Sequence, residues 1–249
     1  MAIFKEEQVR VLLLDIEGTT TPADFVYKTL FPHASEKLEK FLREHERNPE
    51  VRNAVEELRE QQAVDLRNGL EPPAWRNDTE EERLRGCVAY GHWLMERDSK
   101  CTPLKLLQGK IWQQGYESGE LKGEVYADVP VAFERWKRQK RIICIYSSGS
   151  ALAQRLLFRS TAYGDLTAHI SLYFDTRVGA KAEAESYRRI AESFAYRPER
   201  FLFISDAMKE IEAARAAGMR ALLCEREEHG AAQPGSEEAI HDFDGVFPD

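Results

Sequence analysis

Val9-Arg10-Val11-Leu12-Leu13-Leu14-Asp15-Ile16-Glu17-Gly18-Thr19-Thr20 is the stretch that decides the fold. An apolar run rich in branched residues ends on a carboxylate and then meets a glycine and hydroxyls. That is how a parallel strand covered on both faces stops at a loop. In open parallel sheets ligands bind outside the carboxyl ends of the strands, so Asp15 and Glu17 become candidates for chemistry.

Downstream of this strand the texture changes. Between about Ala23 and Asp128 the sequence is charged and helix-periodic, with helices predicted at Ala34–His45, Glu50–Gln62, Glu80–Met95 and Leu104–Tyr116 and no good strand among them. From Val131 helix and strand alternate. Ala132–Gln139, Ala151–Phe158, Ala182–Phe194 and Lys209–Ala217 read as helices, and Gly218 stops the last of them. Arg141–Tyr146, Leu172–Asp175, Phe201–Ile204 and Arg220–Cys224 read as strands. The simplest assembly is an α/β fold with a doubly wound, mainly parallel sheet. Its core comes from residues 1–21 and 130–249, and its first loop has accepted an all-helical cap over residues 22–129, which should exclude water from the site. Pro22 and the stretch Asp128–Pro130 mark the hinges.

The bulk properties exclude several classes. A chain of 249 residues can bury a core without metal or disulfide staples, and 43% hydrophobic with 31% charged residues is ordinary globular composition. A formal charge of -8 and the absence of a long Lys/Arg block argue against nucleic acid or an anionic membrane as partner. Cys87, Cys101, Cys144 and Cys224 are scattered without C-x-x-C spacing and read as reduced structural thiols. Met1–Glu7 lacks a basic segment followed by an apolar one, and no apolar run reaches membrane-spanning length, which places the protein in the cytoplasm.

The ends of three strands collect the polar groups. Asp15 and Glu17 follow the first, Ser147-Ser148-Gly149-Ser150 follows the Arg141 strand, and Ser205-Asp206 follows the Phe201 strand; Lys181, just after Gly179, is read as opening a helix beside them. Acids, hydroxyls and one ammonium suit phosphoryl transfer, where catalysis is largely the positioning and neutralising of phosphoryl oxygens. In this reading Asp15 attacks phosphorus, and Glu17 protonates the leaving oxygen and then takes a proton from water. Ser147, Ser148 and Lys181 bind the phosphate, and Asp15 and Asp206 share a Mg²⁺, a hard ion that takes oxygen ligands. Glu210 reads equally as an orienting carboxylate or a solvated one and stays outside the candidate set. Phe25, Trp112 and Tyr116 could line a pocket but read first as core, and His33, without a spaced partner, reads as structural. The His229-Gly230 region and Asp242-Phe243-Asp244-Gly245 read as surface loop and tail without a role.

Asp15-Ile16-Glu17-Gly18-Thr19-Thr20, Ser147, Lys181 and Asp206, in this order, resemble the four motifs of haloacid-dehalogenase-superfamily phosphatases. Most members carry a second Asp where this chain has Glu17, a departure that points to the enolase-phosphatase, or acireductone synthase, family. Thr21-Pro22, Phe31-Pro32, Leu107-Gln108-Gly109-Lys110-Ile111-Trp112, Tyr146-Ser147-Ser148-Gly149-Ser150 and Tyr173-Phe174-Asp175-Thr176 extend the likeness over core and insertion. The resemblance implies a monomeric enzyme of methionine salvage with one Mg²⁺ per subunit. It would enolise and then dephosphorylate 2,3-diketo-5-methylthiopentyl 1-phosphate to the acireductone. Carried over by position, it implies metal on Asp15, Glu17 (by side chain or by backbone carbonyl) and Asp206, and substrate on Ser147, Ser148 and Lys181. The rivals are a phosphatase for another small phosphate ester and, from a different class, a phospho-acceptor signalling domain.

Overall fold

The computed structural model describes residues 8–76, 78–99, 101–226 and 239–249. Met1–Glu7 and His229-Gly230, read above as a non-signal terminus and a surface loop, lie outside the described residues. The chain divides into two compact units: one holds the described residues of 1–25 and 122–249, the other residues 26–121.

The first unit is built on a five-stranded, wholly parallel sheet in the order β3-β2-β1-β4-β5. The strands are β1 (Val11–Leu14), β2 (Ile142–Tyr146), β3 (Ile170–Phe174), β4 (Phe201–Ser205) and β5 (Arg220–Leu223). The helices of this unit are the short α1 (Ala23–Phe25), α6 (Asp128–Arg138), α7 (Ala151–Arg159), α8 (Ala184–Glu192) and α9 (Met208–Ala216). β1 lies at the centre, and every one of its residues is buried, as a strand covered on both faces must be. Its register sets Leu14 against Ile145 of β2 and Ile204 of β4, so three strands release their chains at one edge of the sheet. On one face, Leu13, Tyr146, Phe203 and Tyr187 belong to a continuous apolar core with Ile190 and Ile211.

β3 lies at one edge of the sheet, and Leu172 on it is exposed. The predicted strand is Leu172–Asp175; backbone pairing with β2 carries it back to Ile170 and ends it at Phe174. α8 is shorter than the predicted Ala182–Phe194, and α6 begins four residues before the predicted Ala132.

The second unit is all-helical: a π-helical turn (Val26–Leu30), then α2 (Phe31–Glu44), α3 (Pro49–Arg67), α4 (Glu80–Glu96) and α5 (Thr102–Ser118). Local chemistry sets the helix starts. Asn48 Oδ1 accepts from the N–H groups of Glu50 and Val51 with Pro49 at the first position, and Thr79 Oγ1 accepts from Glu82. Leu38, Leu58, Tyr90, Leu107 and Ile111 form its interior. Trp112 and Tyr116 are buried here, and the Trp112 indole donates to the Leu30 carbonyl at 2.8 Å, a structural duty.

The unit boundaries differ from the predicted 22–129. Pro22–Phe25 and Lys122–Val129 fall in the sheet-bearing unit. The backbone explains why: Tyr126 N–H donates to the Thr20 carbonyl, and Gly123 N–H to the Ser160 carbonyl. No helix among the described residues is long and apolar enough to cross a membrane. Cys87, Cys101, Cys144 and Cys224 are all free thiols.

Candidate active site

Asp15 is the residue on which the arrangement turns. Its backbone N–H extends the β1–β4 ladder by donating to the Ile204 carbonyl at 3.0 Å, which fixes the side chain where the strand ends. The carboxylate is buried. Oδ1 accepts from the Ile16 N–H at 2.7 Å and lies 2.6 Å from Lys181 Nζ; Oδ2 accepts from Ser205 Oγ at 3.0 Å.

The loop after Asp15 is wound on one acceptor. The N–H groups of Thr19, Thr20 and Thr21 all point at the Ile16 carbonyl, and Thr20 Oγ1 donates to the Asp15 carbonyl at 2.9 Å. Gly18 adopts a left-handed φ of 65°, and a Cβ there would lie 2.3 Å from Asp206 Oδ2. Only glycine permits both the turn and this approach. Asp206 is thereby packed against the loop that carries Asp15 and the half-buried Glu17.

Lys181 is also buried. The structure corrects its predicted setting: α8 starts at Ala184, so Lys181 stands in the preceding turn and not on a helix N-terminus. That turn is held by side chains instead. Tyr146 OH donates to the Gly179 carbonyl, Ser186 Oγ to Ala180 and Tyr187 OH to the Lys181 carbonyl, at 2.9, 2.7 and 2.7 Å. The ammonium meets Glu210 Oε2 at 2.7 Å as well as Asp15. Burial alone would lower its pKa, but the Asp15 and Glu210 carboxylates outweigh burial and hold the ammonium above the ordinary lysine range.

Ser147 is buried at the end of β2. Its N–H donates to the Phe174 carbonyl at 3.2 Å, and its Oγ accepts from Gly149 N–H at 3.2 Å. The Ser147–Ser150 loop is braced by Gln154, which donates to the Gly149 and Phe174 carbonyls at 2.8 Å each, and by Asp175, which accepts from Ala151 N–H. Ser148 is half-buried in the same loop.

Two carboxylates, Asp15 and Glu210, thus share one ammonium, and Asp206 stands against the Asp15 loop at Gly18. Burial raises the Asp206 pKa, the Asp15 charge adds to it, and the group is raised to about 6. Glu210 is raised by the same causes in the same order. Ser205 Oγ faces oxygens of both Asp15 and Glu210, at 3.0 and 2.9 Å, yet a hydroxyl has one proton to give. The cluster is short of positive charge, and its donors are hard oxygens. Among the described residues no three His, Cys, Asp or Glu side chains are grouped as a metal cage. The donor set therefore fits Mg²⁺ held by one or two carboxylates, with other oxygens completing the shell, better than an all-protein cage.

Residues 9–218 match the family model described as haloacid dehalogenase-like hydrolase. The chain is 46% identical over 236 residues to enolase-phosphatase E1 of Synechococcus elongatus, covering 95% of this chain and 97% of that one. It is 43% identical over 242 residues to enolase-phosphatase E1 of Drosophila simulans, covering 96% and 93%.

The chain belongs to the enolase-phosphatase family of haloacid dehalogenase-like hydrolases.

A solved relative, the UTR4 protein of Saccharomyces cerevisiae, superposes with a TM-score of 0.73 at 31% identity over 94% of this chain and 97% of that one. Against this enolase-phosphatase frame, the structure joins Asp15, Lys181 and Asp206 into one cluster, with Glu17 on the Asp15 loop. Ser147 and Ser148 follow the strand that pairs directly with β1. Sequence reasoning gathers Ser205 with the strand-end groups without giving it a role and leaves Glu210 open between an orienting and a solvated carboxylate; the structure puts both on the Asp15–Lys181 cluster. Ser205 immediately precedes Asp206, and Glu210 lies four residues after it, within reach of one helical turn; that spacing was the available signal.

Proposed function

We propose that this protein is an enolase-phosphatase of methionine salvage, converting 2,3-diketo-5-methylthiopentyl 1-phosphate to the acireductone, with Asp15 as nucleophile. The observation that carries the residue roles is the triad in which the buried Lys181 bridges the buried Asp15 and the half-buried Glu210. Full-length identity to the two enolase-phosphatases supports the substrate class, a small phosphorylated compound.

The Asp15 carboxylate attacks phosphorus, an aspartyl–phosphate bond forms, and the bond from phosphorus to the substrate oxygen breaks. Glu17 gives a proton to the departing oxygen. It then takes one from the water that splits the aspartyl phosphate, which returns Asp15 and releases phosphate. Ser147 and Ser148 bind phosphoryl oxygens, and Lys181 offsets their charge. Mg²⁺ would be held by the Asp15 and Asp206 carboxylates and the Glu17 backbone carbonyl, and when bound it supplies charge neutralisation to the phosphoryl group and an enolate oxygen.

The test follows enol formation and phosphate release separately with the diketo phosphate and Mg²⁺, alongside Asp15→Asn. Both signals in the parent and no phosphate from the variant are expected. Phosphate released only from unrelated esters would leave a phosphatase of another substrate, and full turnover by Asp15→Asn would overturn the nucleophile.

A further inference from the structure

The C-terminal segment, read from sequence as a tail without a role, is built into the catalytic loop by one side chain. Arg226 follows β5 and is nearly buried. Its Nε and Nη2 both donate to the Thr19 carbonyl, at 2.9 and 2.7 Å. Its Nη1 contacts both carboxylate oxygens of Asp128, at 2.9 Å each, and the His241 carbonyl at 3.3 Å. The guanidinium packs on the rings of Tyr126 and Phe243, 4.2 and 4.6 Å from their centroids.

The groups that Arg226 touches come from three separate parts of the chain: Thr19, Tyr126 with Asp128, and His241 with Phe243. Thr19 is in the loop wound on the Ile16 carbonyl, the same loop that sets Asp15, Glu17 and Gly18. Asp128 opens α6 and also accepts the Phe243 N–H at 2.8 Å, while Tyr126 N–H holds the Thr20 carbonyl. The tail is anchored independently: Ile240 pairs with Leu223 and Glu225, and the Trp136 indole donates to the Val246 carbonyl at 2.8 Å. A fork with fixed geometry thus ties the outer side of the catalytic loop to a rigid base. Lysine could not reproduce this, having a single point of charge.

We propose that Arg226 is a positioning residue for the phosphoryl-transfer step: with Asp128 it clamps the Thr19 carbonyl and so fixes the loop that aims Asp15 and Glu17. This inference rests on the reading of Asp15 as nucleophile. A loop released by a fraction of an ångström holds substrate nearly as well but reacts more slowly, because in-line attack tolerates little misplacement.

The experiment compares Arg226→Ala, Arg226→Lys, Asp15→Asn and Trp136→Phe, the last removing the indole's hydrogen bond to the Val246 carbonyl while keeping an aromatic ring against Phe243. Phosphate release from the diketo phosphate and the melting temperature are measured for each. For Arg226→Ala, kcat is expected to fall about ten- to a hundredfold while KM moves by less than about threefold, at a temperature where the variant is folded. Trp136→Phe is expected to lower the melting temperature and keep kcat. Should Arg226→Ala fail to fold, Arg226→Lys keeps a charge beside Asp128 and is expected to lose kcat alone. Parental kcat in the folded arginine variant overturns the clamp, as does an equal kcat loss in Trp136→Phe. Turnover retained by Asp15→Asn overturns the nucleophile instead, so the two failures are distinguishable.

Discussion

Glu210 Oε2 stands 2.7 Å from Lys181 Nζ, on an ammonium that also holds Asp15 Oδ1 at 2.6 Å. One cation is thus divided between the candidate nucleophile and a carboxylate that performs no bond-making step. This division gives Glu210 a function: it draws part of the ammonium's field away from Asp15 and fixes the lysine between two acceptors. Glu210→Gln keeps the shape and removes the charge, leaving Lys181 to Asp15 alone. The expected result is a fall in kcat of about tenfold. The melting temperature should hold or rise, because burial and the Asp15 charge already disfavour the ionised Glu210 that the amide replaces. Steady-state kinetics with thermal unfolding checks this, and parental kcat would remove Glu210 from the machinery.

Lys181→Met deletes the cation and leaves the buried Asp15 and the half-buried Glu210 carboxylates without it. Turnover should drop by about two to three orders of magnitude, the scale seen when one preorganised stabiliser of transition-state charge is lost. Lys181→Arg should recover little of it, since a planar fork cannot occupy a pocket sized for a single nitrogen between two carboxylates. Recovery by arginine would show that only net charge matters here.

Gly18→Ala tests the packing of the loop on Asp206. The left-handed φ of 65° costs an alanine about 1–2 kcal/mol. The new Cβ, 2.3 Å from Asp206 Oδ2, must also push the carboxylate or the loop aside. Activity should therefore fall further than stability. An alanine variant with parental kcat and a lowered melting temperature would mean that Asp206 and the loop can separate without consequence.

How much of this was legible in sequence depended on whether the cause was local. β1, β2 and β4 are uninterrupted apolar runs because neighbours cover them on both faces, and the runs announced themselves. β3 was legible only in part, because an edge strand with exposed Ser171 and Leu172 carries no such signal. The π-helical turn at Val26–Leu30 has no composition that marks it. The sequence puts Lys181 just after Gly179 at the start of a predicted helix. The turn is in fact held by Tyr146, Ser186 and Tyr187, contacts that only the assembled sheet creates. The tail was unreadable for the same reason: Arg226 meets Asp128 across 98 positions, and no local pattern reports that.

The loop that carries Ser147 and Ser148 offers the last test. Gln154, buried on α7, spends its amide on two carbonyls: Gly149 within that loop and Phe174 at the end of β3. Ser147 N–H shares the Phe174 carbonyl at 3.2 Å, so the glutamine and the serine are fixed to one oxygen. Gln154→Leu fills the same volume but strands the Gly149 carbonyl and weakens the anchor at Phe174. Leaving part-buried carbonyls short of donors should cost about 1 kcal/mol in denaturant unfolding. The loop's hold on phosphate should loosen with it, while Asp15, Lys181 and Asp206 keep their own contacts. KM for the phosphorylated substrate is therefore expected to rise by about tenfold, with kcat less affected, since binding common to ground and transition states is what a slack phosphate loop gives up. A fall in kcat at constant KM would instead mean that the serine loop acts on the transition state alone, and that Ser147 and Ser148 contribute little to holding the substrate.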